Sequence, residues 1–275
     1  MHDTADRYRG FEYLEVTRQP DRVVLVTMNR PDKLNAADDH AKDELVRIWG
    51  IIDDDPDVNV AVLTGAGRAF CAGGDVSPHD GDPVERAHRM HERNVAAVWA
   101  LVNMRKPLIS AVNGVAVGAG VRLALLADIS VMAEDARLID GHTKIGIAAG
   151  DHSVMIWPLL CGMAQAKNLL MRNSTITGRD ALRLGLVSEC VPTAEVLPTA
   201  LAIAGELARG PQWAVRSTKR ALNHWLRAAA PAYEHSAALE ALNTLHGDSA
   251  AGRRAVLARE TPTFPSSNLG IAGTA

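Results

Sequence analysis

Six of the ionisable side chains between Lys106 and His152 are candidates for chemistry. They are Arg122, Asp140, His142, Lys144, Asp151 and His152. An imidazole such as that of His142 is suited to general-base work near neutral pH. Asp151 follows after the glycine-containing segment IGIAAG, so its carboxylate could return to orient the imidazole and stabilise its protonated form. This pair predicts water-dependent acid–base chemistry, whereas Lys144 and His152 would either be solvated or line the pocket.

The same residues also have structural interpretations, which the sequence leaves open. Asp151 comes just before a predicted helix, where Asp is a favoured N-cap, although capping does not exclude catalysis. A single histidine such as His142 can be purely structural. Arg122 could neutralise Asp140 or Asp151, bind a substrate carboxylate, or shift the pKa of His142.

Two glycine-rich turns follow predicted strands, in the segments GAGRAFCAGGD and GVAVGAG. The first is not a dinucleotide-binding loop, because the GxGxxG spacing would place a glycine where Phe70 stands and no helical run follows. Two turns at strand ends can each direct one backbone N–H at a single carbonyl oxygen, which would stabilise an oxyanion. The alternative is that both are only tight strand-to-helix corners.

The elements that would position these groups alternate between strand and helix. Strands are predicted at 11–17, 22–28, 58–64, 108–112 and 187–191, and the first two form a hairpin around Pro20 and Asp21. Helices are predicted at 38–52, 83–105, 121–126, 151–161, 164–171 and 178–184. From residue 195 to residue 260 the pattern is helical throughout, and the tail after it is rich in Pro, Ser and Gly. The sequence therefore predicts an α/β protein with a helical C-terminal region.

Composition excludes several classes of protein. The 275 residues are 47% hydrophobic and 22% charged, with a net charge of −3 and no basic stripe, so nucleic acid is not an expected partner. Three widely spaced cysteines argue against a disulfide framework and fit a reducing cytosol. The polar N-terminus lacks the apolar core of a signal peptide. No stretch reaches the roughly 20 apolar residues of a membrane span, so we expect a cytoplasmic protein with no membrane partner.

Four ordered motifs carry a family resemblance: NRPDKLNA, LTGAGRAFCAGGD, AVNGVAVGAGVRLALLADI and TITGRDALRLGLVSECV. In this order and spacing they resemble the enoyl-CoA hydratase/isomerase (crotonase) superfamily, over about residues 11–260. The resemblance implies a crotonase (ClpP-like) spiral of ββα units in residues 1–200. It further implies a C-terminal helical region of the same fold in residues 201–260, through which trimers or dimers of trimers assemble. Residues 261–275 are expected to be a flexible tail.

The resemblance also implies an acyl-CoA thioester whose carbonyl lies in a two-donor oxyanion hole. Carried over by position, the donors are the N–H groups of Gly74 and Ala119. The segments that face coenzyme A would be Lys33 with Leu34, and residues 69–72, which begin at Ala69 and end at Ala72. Asp128 matches a family aspartate for which a structural role is expected. No metal is expected, and coenzyme A would enter only as part of the substrate.

The sequence departs from the family where the hydratases have their two glutamates. Arg122 occupies the first position, three residues after the second oxyanion donor, and His142 occupies the second. A lost general acid or base costs roughly 10²–10⁴ in rate, and the guanidinium of Arg122 does not deprotonate at working pH. The sequence therefore lacks the glutamate base that the family uses for hydration with two glutamates and for isomerisation with one.

The His142 and Asp151 pair instead resembles that of the superfamily's β-diketone hydrolases of the 6-oxocamphor hydrolase type. In those enzymes an activated water attacks a ketone, and carbon–carbon cleavage releases an enolate. We therefore predict an enzyme that acts on an acyl-CoA or β-dicarbonyl compound, with His142 as base, Asp151 as its partner and Arg122 as an electrostatic auxiliary. The alternatives are a hydratase with carboxylates recruited from Asp140 or Asp151, or an acyl-CoA-binding scaffold without chemistry.

Overall fold

Two sheets form the centre of the fold. The computed structural model describes residues 7–74 and 81–268. The strands of the six-stranded sheet are β1 (Leu14–Gln19), β2 (Val23–Met28), β3 (Val60–Gly65), β5 (Leu108–Val112), β7 (Ile129–Ala133) and β10 (Glu189–Val191), paired in that order. The four-stranded sheet contains β4 (Ala69–Cys71), β6 (Val115–Val117), β8 (Arg137–Ile139) and β9 (Thr175–Thr177). Apart from the antiparallel pairs β1–β2 and β8–β9, neighbouring strands are parallel.

The chain repeats one unit three times: a strand of the larger sheet, a strand of the smaller sheet, and a helix. The units are β3–β4–α2, β5–β6–α3 and β7–β8–α4, which confirms the predicted spiral of ββα units. Every residue of β3 and β5 is buried. Strands covered on both faces read as continuous apolar runs, and VAVLTG and LISAV are such runs.

Helices surround the two sheets and also form the C-terminal region. They are α1 (Asp39–Asp53), α2 (Pro83–Asn103), α3 (Ala119–Leu125), α4 (Ser153–Met171), α5 (Gly178–Leu184), α6 (Val196–Arg209), α7 (Gln212–Ala228), α8 (Ala230–Thr244) and α9 (Gly247–Ala258). The two helices predicted at 151–161 and 164–171 are joined as α4, which kinks at Gly162 because this residue has φ 76° and ψ 155°. The break predicted between the two helices is therefore present as a kink, although one helix is assigned across it.

The first part of the C-terminal tail contacts the helical region. Residues 1–6 and 269–275 lie outside the described residues, as does most of the polar loop predicted at 76–82. Residues 261–268, which the sequence assigns to a flexible tail, contain a short 3₁₀ helix at Pro265–Asn268. The backbone N–H of Ser266 donates to Asp248 at the start of α9, at 3.0 Å. This contact attaches the first part of the tail to the helical region.

One helix in the described part of the chain, α4, is long and apolar enough to cross a membrane, with a mean hydropathy of 1.2. That is weak evidence for a membrane span, because a core helix of a water-soluble protein passes the same test. Met155, Ile156 and Trp157 of α4 are buried in the protein core. The cytoplasmic location stays a prediction from the sequence.

Candidate active site

The two glycine-rich turns lie side by side because they follow neighbouring parallel strands. Strand β4 pairs with β6 in the register Ala69 to Val115 and Cys71 to Ala116. The backbones then approach so closely that a Cβ atom on Gly120 would lie 2.2 Å from the carbonyl oxygen of Cys71. Only glycine fits this contact. The carboxyl ends of β4 and β6 therefore place both turns at one edge of the smaller sheet.

The backbone N–H groups of Gly74 and Ala119 are free to donate. Ala119 is the first residue of α3, and the first N–H groups of a helix have no partner within the helix. Neither N–H makes a hydrogen bond to any residue that the structure describes. The turn at Gly74 is held by its neighbour Gly73, whose carbonyl accepts from the N–H of Ala37 at 2.8 Å. Their role as oxyanion donors stays a prediction, and the geometry is compatible with it.

The residues expected to face coenzyme A lie on two adjoining segments. The N–H of Ala72 donates to the carbonyl of Leu34 at 2.9 Å. Leu34 has φ 52°, in the left-handed region. Lys33 is exposed, whereas Ala69 is buried in β4. The predicted segments are therefore neighbours in space, with a single exposed cation on one of them.

Asn35, which the sequence analysis did not single out, holds these two segments together. Its fully buried side chain donates to the carbonyls of Ala66 and Ala69, both at 2.9 Å. Its Oδ1 accepts from the N–H of Arg30 at 2.9 Å. A buried amide with this many backbone partners fixes loop geometry. The available signal was its position in NRPDKLNA, directly after the predicted coenzyme-facing residues.

A buried cluster of charged and polar side chains lies beyond the oxyanion turns. Helix α3 contributes Arg122, the loop after β8 contributes Asp140 and His142, and the start of α4 contributes Asp151, His152 and Ser153. A further member, Glu240, comes from α8. Each of these residues is at most 7% exposed. Arg122 lies one helical turn after Ala119, so the cluster adjoins the predicted oxyanion hole.

His142 lies between two carboxylates. Its Nδ1 atom is 2.9 Å from Asp140 Oδ1, and its Nε2 atom is 3.4 Å from Asp151 Oδ1. Burial disfavours the imidazolium, but the negative charges of Asp140 and Asp151 outweigh it and raise the pKa of His142 well above its usual range. The structure therefore brings the predicted pair together, and it adds Asp140 as the nearer partner. The two carboxylates therefore favour the imidazolium, in which both ring nitrogens carry a proton.

Asp151 contacts three other members of the cluster and does not cap helix α4. Helix α4 begins at Ser153, and its N-cap residue His152 makes no side-chain cap hydrogen bond, so the capping interpretation of Asp151 is wrong. Oδ1 of Asp151 makes a short contact with His152 Nδ1, and Oδ2 is 3.2 Å from Arg122 Nη1. Burial opposes its ionisation, but the charges of His152, His142 and Arg122 lower its pKa overall.

Asp140 is held in the same way from two sides. Its second carboxylate oxygen accepts a short hydrogen bond from the hydroxyl of Ser153. Burial opposes ionisation of Asp140, but the charge and hydrogen bond of His142, together with His152 and Ser153, lower its pKa. Carboxylates with lowered pKa values are weak bases. This argues against the alternative in which Asp140 or Asp151 replaces a hydratase glutamate.

Arg122 is 3% exposed, and only some of its N–H donors have hydrogen-bond partners. Its Nη1 atom donates to Asp151 at 3.2 Å and to Asn94 Oδ1 at 3.3 Å. Of the alternatives that the sequence left open, the structure shows the ion pair with Asp151. Its Nε atom is buried and has no hydrogen-bond partner.

Glu240 is the functional candidate that sequence reasoning missed. Its Oε1 atom lies 3.8 Å from His142 Nε2 and accepts from Asn94 Nδ2 at 3.3 Å. Burial, helped by the charge of Asp151 and opposed by that of His142, raises the pKa of Glu240 to about 8. The carboxyl is therefore mainly protonated at neutral pH. Nothing in the local sequence distinguishes Glu240 from the exposed Glu234 on the same helix.

His142, Asp151 and Glu240 also have the donor types of a cation site, with ligating atoms within 4.8 Å of one another. All three are buried. Arg122 already neutralises Asp151. Asp140 holds the ring of His142 on the opposite side. A metal ion would therefore compete with positive charge that the protein itself supplies.

Comparison with known proteins places this chain in a family. The chain matches the family model described as enoyl-CoA hydratase/isomerase over residues 18–265. It is 34% identical over 200 residues to (E)-benzylidenesuccinyl-CoA hydratase of Thauera aromatica, covering 72% of this chain and 78% of that one. It is 31% identical over 211 residues to 1,2-epoxyphenylacetyl-CoA isomerase of Escherichia coli, covering 73% and 78%.

Solved structures agree with the sequence matches. An enoyl-CoA hydratase/isomerase from Mycobacterium paratuberculosis superposes with a TM-score of 0.81 at 32% identity, covering 90% of this chain and 99% of that one. The ββα spiral and the helical C-terminal region are thus those of a known fold. The chain belongs to the enoyl-CoA hydratase/isomerase (crotonase) family.

Proposed function

We propose that this enzyme acts on an α,β-unsaturated acyl-CoA thioester and polarises its carbonyl. Water adds to the β-carbon while His142 takes a proton from it, and the enolate that forms then receives this proton at the α-carbon. The observation that carries the proposal is the buried ring of His142 between Asp140 and Asp151, at 2.9 Å and 3.4 Å. The relatives named above act, by their names, on coenzyme A thioesters. The same class of substrate is therefore the first to test on this chain.

The carbonyl step uses backbone donors. The N–H groups of Gly74 and Ala119 would donate to the thioester oxygen, on which negative charge develops as the enolate forms. One donor of this kind is worth about 10²–10³ in rate. Because both donors belong to backbone held by close glycine contacts, they need no rearrangement during the reaction.

The proton step uses the buried cluster. The negative charges of Asp140 and Asp151 contribute most to holding the His142 imidazolium, and that of Glu240 contributes less. His142 must lose this proton before it can accept one from water. Once neutral, it is a stronger base than an ordinary histidine, because the same two carboxylates favour its protonation.

Hydrolysis of a carbon–carbon bond in a β-dicarbonyl compound is a second candidate that uses the same groups. The proximity of His142 to Asp151 supports it, because a water activated there could attack a ketone as well as a double bond. The enolate released by cleavage would lie at the same two N–H groups. Because the same groups could catalyse both reactions, the substrate that is turned over distinguishes between them.

The test is an assay of the purified protein on crotonyl-CoA and on cyclic β-diketones, both free and as coenzyme A thioesters. We expect turnover of a thioester substrate, and a decrease of about 10²–10⁴ in kcat for His142→Gln. His235→Gln, at an exposed histidine on α8, is the matched control and should retain activity. Crotonyl-CoA hydration that is unaffected by His142→Gln would contradict the proposed base.

A further inference from the structure

One edge of the Arg122 guanidinium has no partner. A guanidinium has five N–H donors in a planar fork. Nη1 is occupied by Asp151 and Asn94. Nε is buried without an acceptor. Within the part of the chain that the structure describes, the side-chain hydrogen bonds of Arg122 are both made by Nη1, so Nη2 makes none. Nε and Nη2 lie on the same edge of the fork, which is the edge that binds a carboxylate through two parallel hydrogen bonds.

The charge of Arg122 is also incompletely compensated. Among the described residues Asp151 is its one ion-pair partner, and that carboxylate is shared: Oδ2 contacts Arg122, whereas Oδ1 contacts both His142 and His152. A buried cation with a free donor edge can therefore bind a further anion. Such unpaired buried donors are rare in proteins and call for an acceptor.

The free edge belongs to a side chain that the acyl chain would pass. Ala119 and Arg122 are three residues apart in α3, so they lie on one face of the helix. Helical side chains lean toward the N-terminus of their helix, which brings the guanidinium back toward the Ala119 N–H. An acyl group whose carbonyl is bound at Ala119 would extend past Arg122.

We propose that Arg122 binds a carboxylate carried by the acyl chain, so that the substrate is the mono-thioester of a dicarboxylic acid. This inference rests on the proposed acyl-CoA function and names its substrate class. The carboxylate would receive two hydrogen bonds, from Nε and Nη2. Asp151 would keep its place on Nη1, so the His142 cluster would not rearrange.

Binding of saturated thioesters tests the inference apart from turnover, because these compounds cannot be hydrated. Butanedioyl-, pentanedioyl- and hexanedioyl-CoA would each be compared by calorimetry with the thioester in which an isopropyl group replaces the carboxylate. These are 4-methylpentanoyl-, 5-methylhexanoyl- and 6-methylheptanoyl-CoA. At the best length we expect the dicarboxylic thioester to bind at least about tenfold more tightly, because buried donors reject a ligand that leaves them unpaired.

Two variants separate the contribution of the planar guanidinium from that of its positive charge. Arg122→Met should bring the ratio of the two dissociation constants to about one, and Arg122→Lys should give an intermediate ratio because it keeps the charge without the planar fork. Wild-type protein that binds every isopropyl thioester as tightly as its dicarboxylic counterpart would overturn the inference, whether or not the variants fold. A preserved preference with no turnover of the unsaturated thioesters would refute the proposed hydration alone. Binding of neither thioester would refute both.

Discussion

The Nδ1 atom of His142 lies 2.9 Å from Oδ1 of Asp140, a residue that the sequence had assigned only as a possible partner of Arg122 or a recruited base. The predicted orienting partner, Asp151, instead faces the opposite nitrogen at 3.4 Å. The imidazole is therefore held from both sides. This arrangement stabilises the imidazolium and makes the reaction dependent on its deprotonation.

The first prediction concerns the pH dependence of activity. Because the carboxylates of Asp140 and Asp151 outweigh the effect of burial and raise the pKa of His142, the neutral base forms at higher pH than in an ordinary histidine. We expect kcat/KM to rise with pH and to level off well above pH 6.5, the unperturbed pKa. Initial rates on the best thioester across pH 6–10 would show it. A rate that falls over this range would mean that His142 acts as an acid.

Asp140→Asn supplies the control for this pH profile. Removal of one carboxylate should lower the pKa of His142, so the rise in kcat/KM should occur at lower pH than in the wild type. Asp135→Asn, at an exposed aspartate in the turn before β8, should leave the profile in place. A purely structural role of Asp140 would lower activity without moving the midpoint.

The second prediction concerns the oxyanion donor at Ala119. This residue is the first of α3, a position where proline fits because its N–H has no partner within the helix. Ala119→Pro should therefore remove the donor and lower kcat by about 10²–10³ while the helix persists. Ala119→Gly keeps the N–H and should retain most of the activity. Equal losses in the two variants would contradict the assigned role.

The third prediction concerns Glu240 and stability. Its pKa is about 8 in the folded protein against 4.5 for the unperturbed group, so the folded state holds a proton that the unfolded state releases. Native stability therefore loses a contribution as pH rises from about 4.5 to about 8. Glu240→Gln removes this loss. We expect the variant to melt at a higher temperature than the wild type at pH 8.5.

The comparison at low pH checks the cause. At pH 4.5 and below, the carboxyl of Glu240 is protonated in the folded protein, and the melting temperatures should converge. Glu234→Gln, an exposed site on α8, should show no such pH-dependent difference. A stability difference that is constant with pH would point to packing as its cause.

The fourth prediction concerns assembly through the helical region. Helix α7 exposes three large apolar side chains: Trp213 (89%), Leu222 (61%) and Trp225 (69%). Exposed aromatic residues grouped on one helix are typical of an interface. The predicted trimer or dimer of trimers should appear in light scattering as three or six times the 29.4 kDa chain. Trp225→Glu should shift it toward monomer, whereas Val84→Glu, at an exposed residue of α2, should not.

Local sequence was sufficient for much of the fold and for half of the candidate site. Buried strands are continuous apolar runs, and the glycines of the two turns mark places where backbone meets backbone. The family resemblance assigned the oxyanion donors to Gly74 and Ala119 and the two glutamate positions to Arg122 and His142, and these assignments stay predictions. These features depend on residues that are close together along the chain, so the sequence alone is enough to recognise them.

The composition of the buried cluster around His142 was decided by tertiary structure. A local signal existed for Asp140, since residues two apart at a strand end can share a face, but only the observed distances rank it above Asp151. Glu240 had no signal, because its burial comes from α8 packing on α2 and α4, and its hydrogen-bond partner Asn94 is 146 residues away. Burial and charge at that distance shift the pKa values of the cluster. The sequence alone therefore determined the family and the glycine-rich turns, whereas the packing of α8 decided which ionisable groups surround His142.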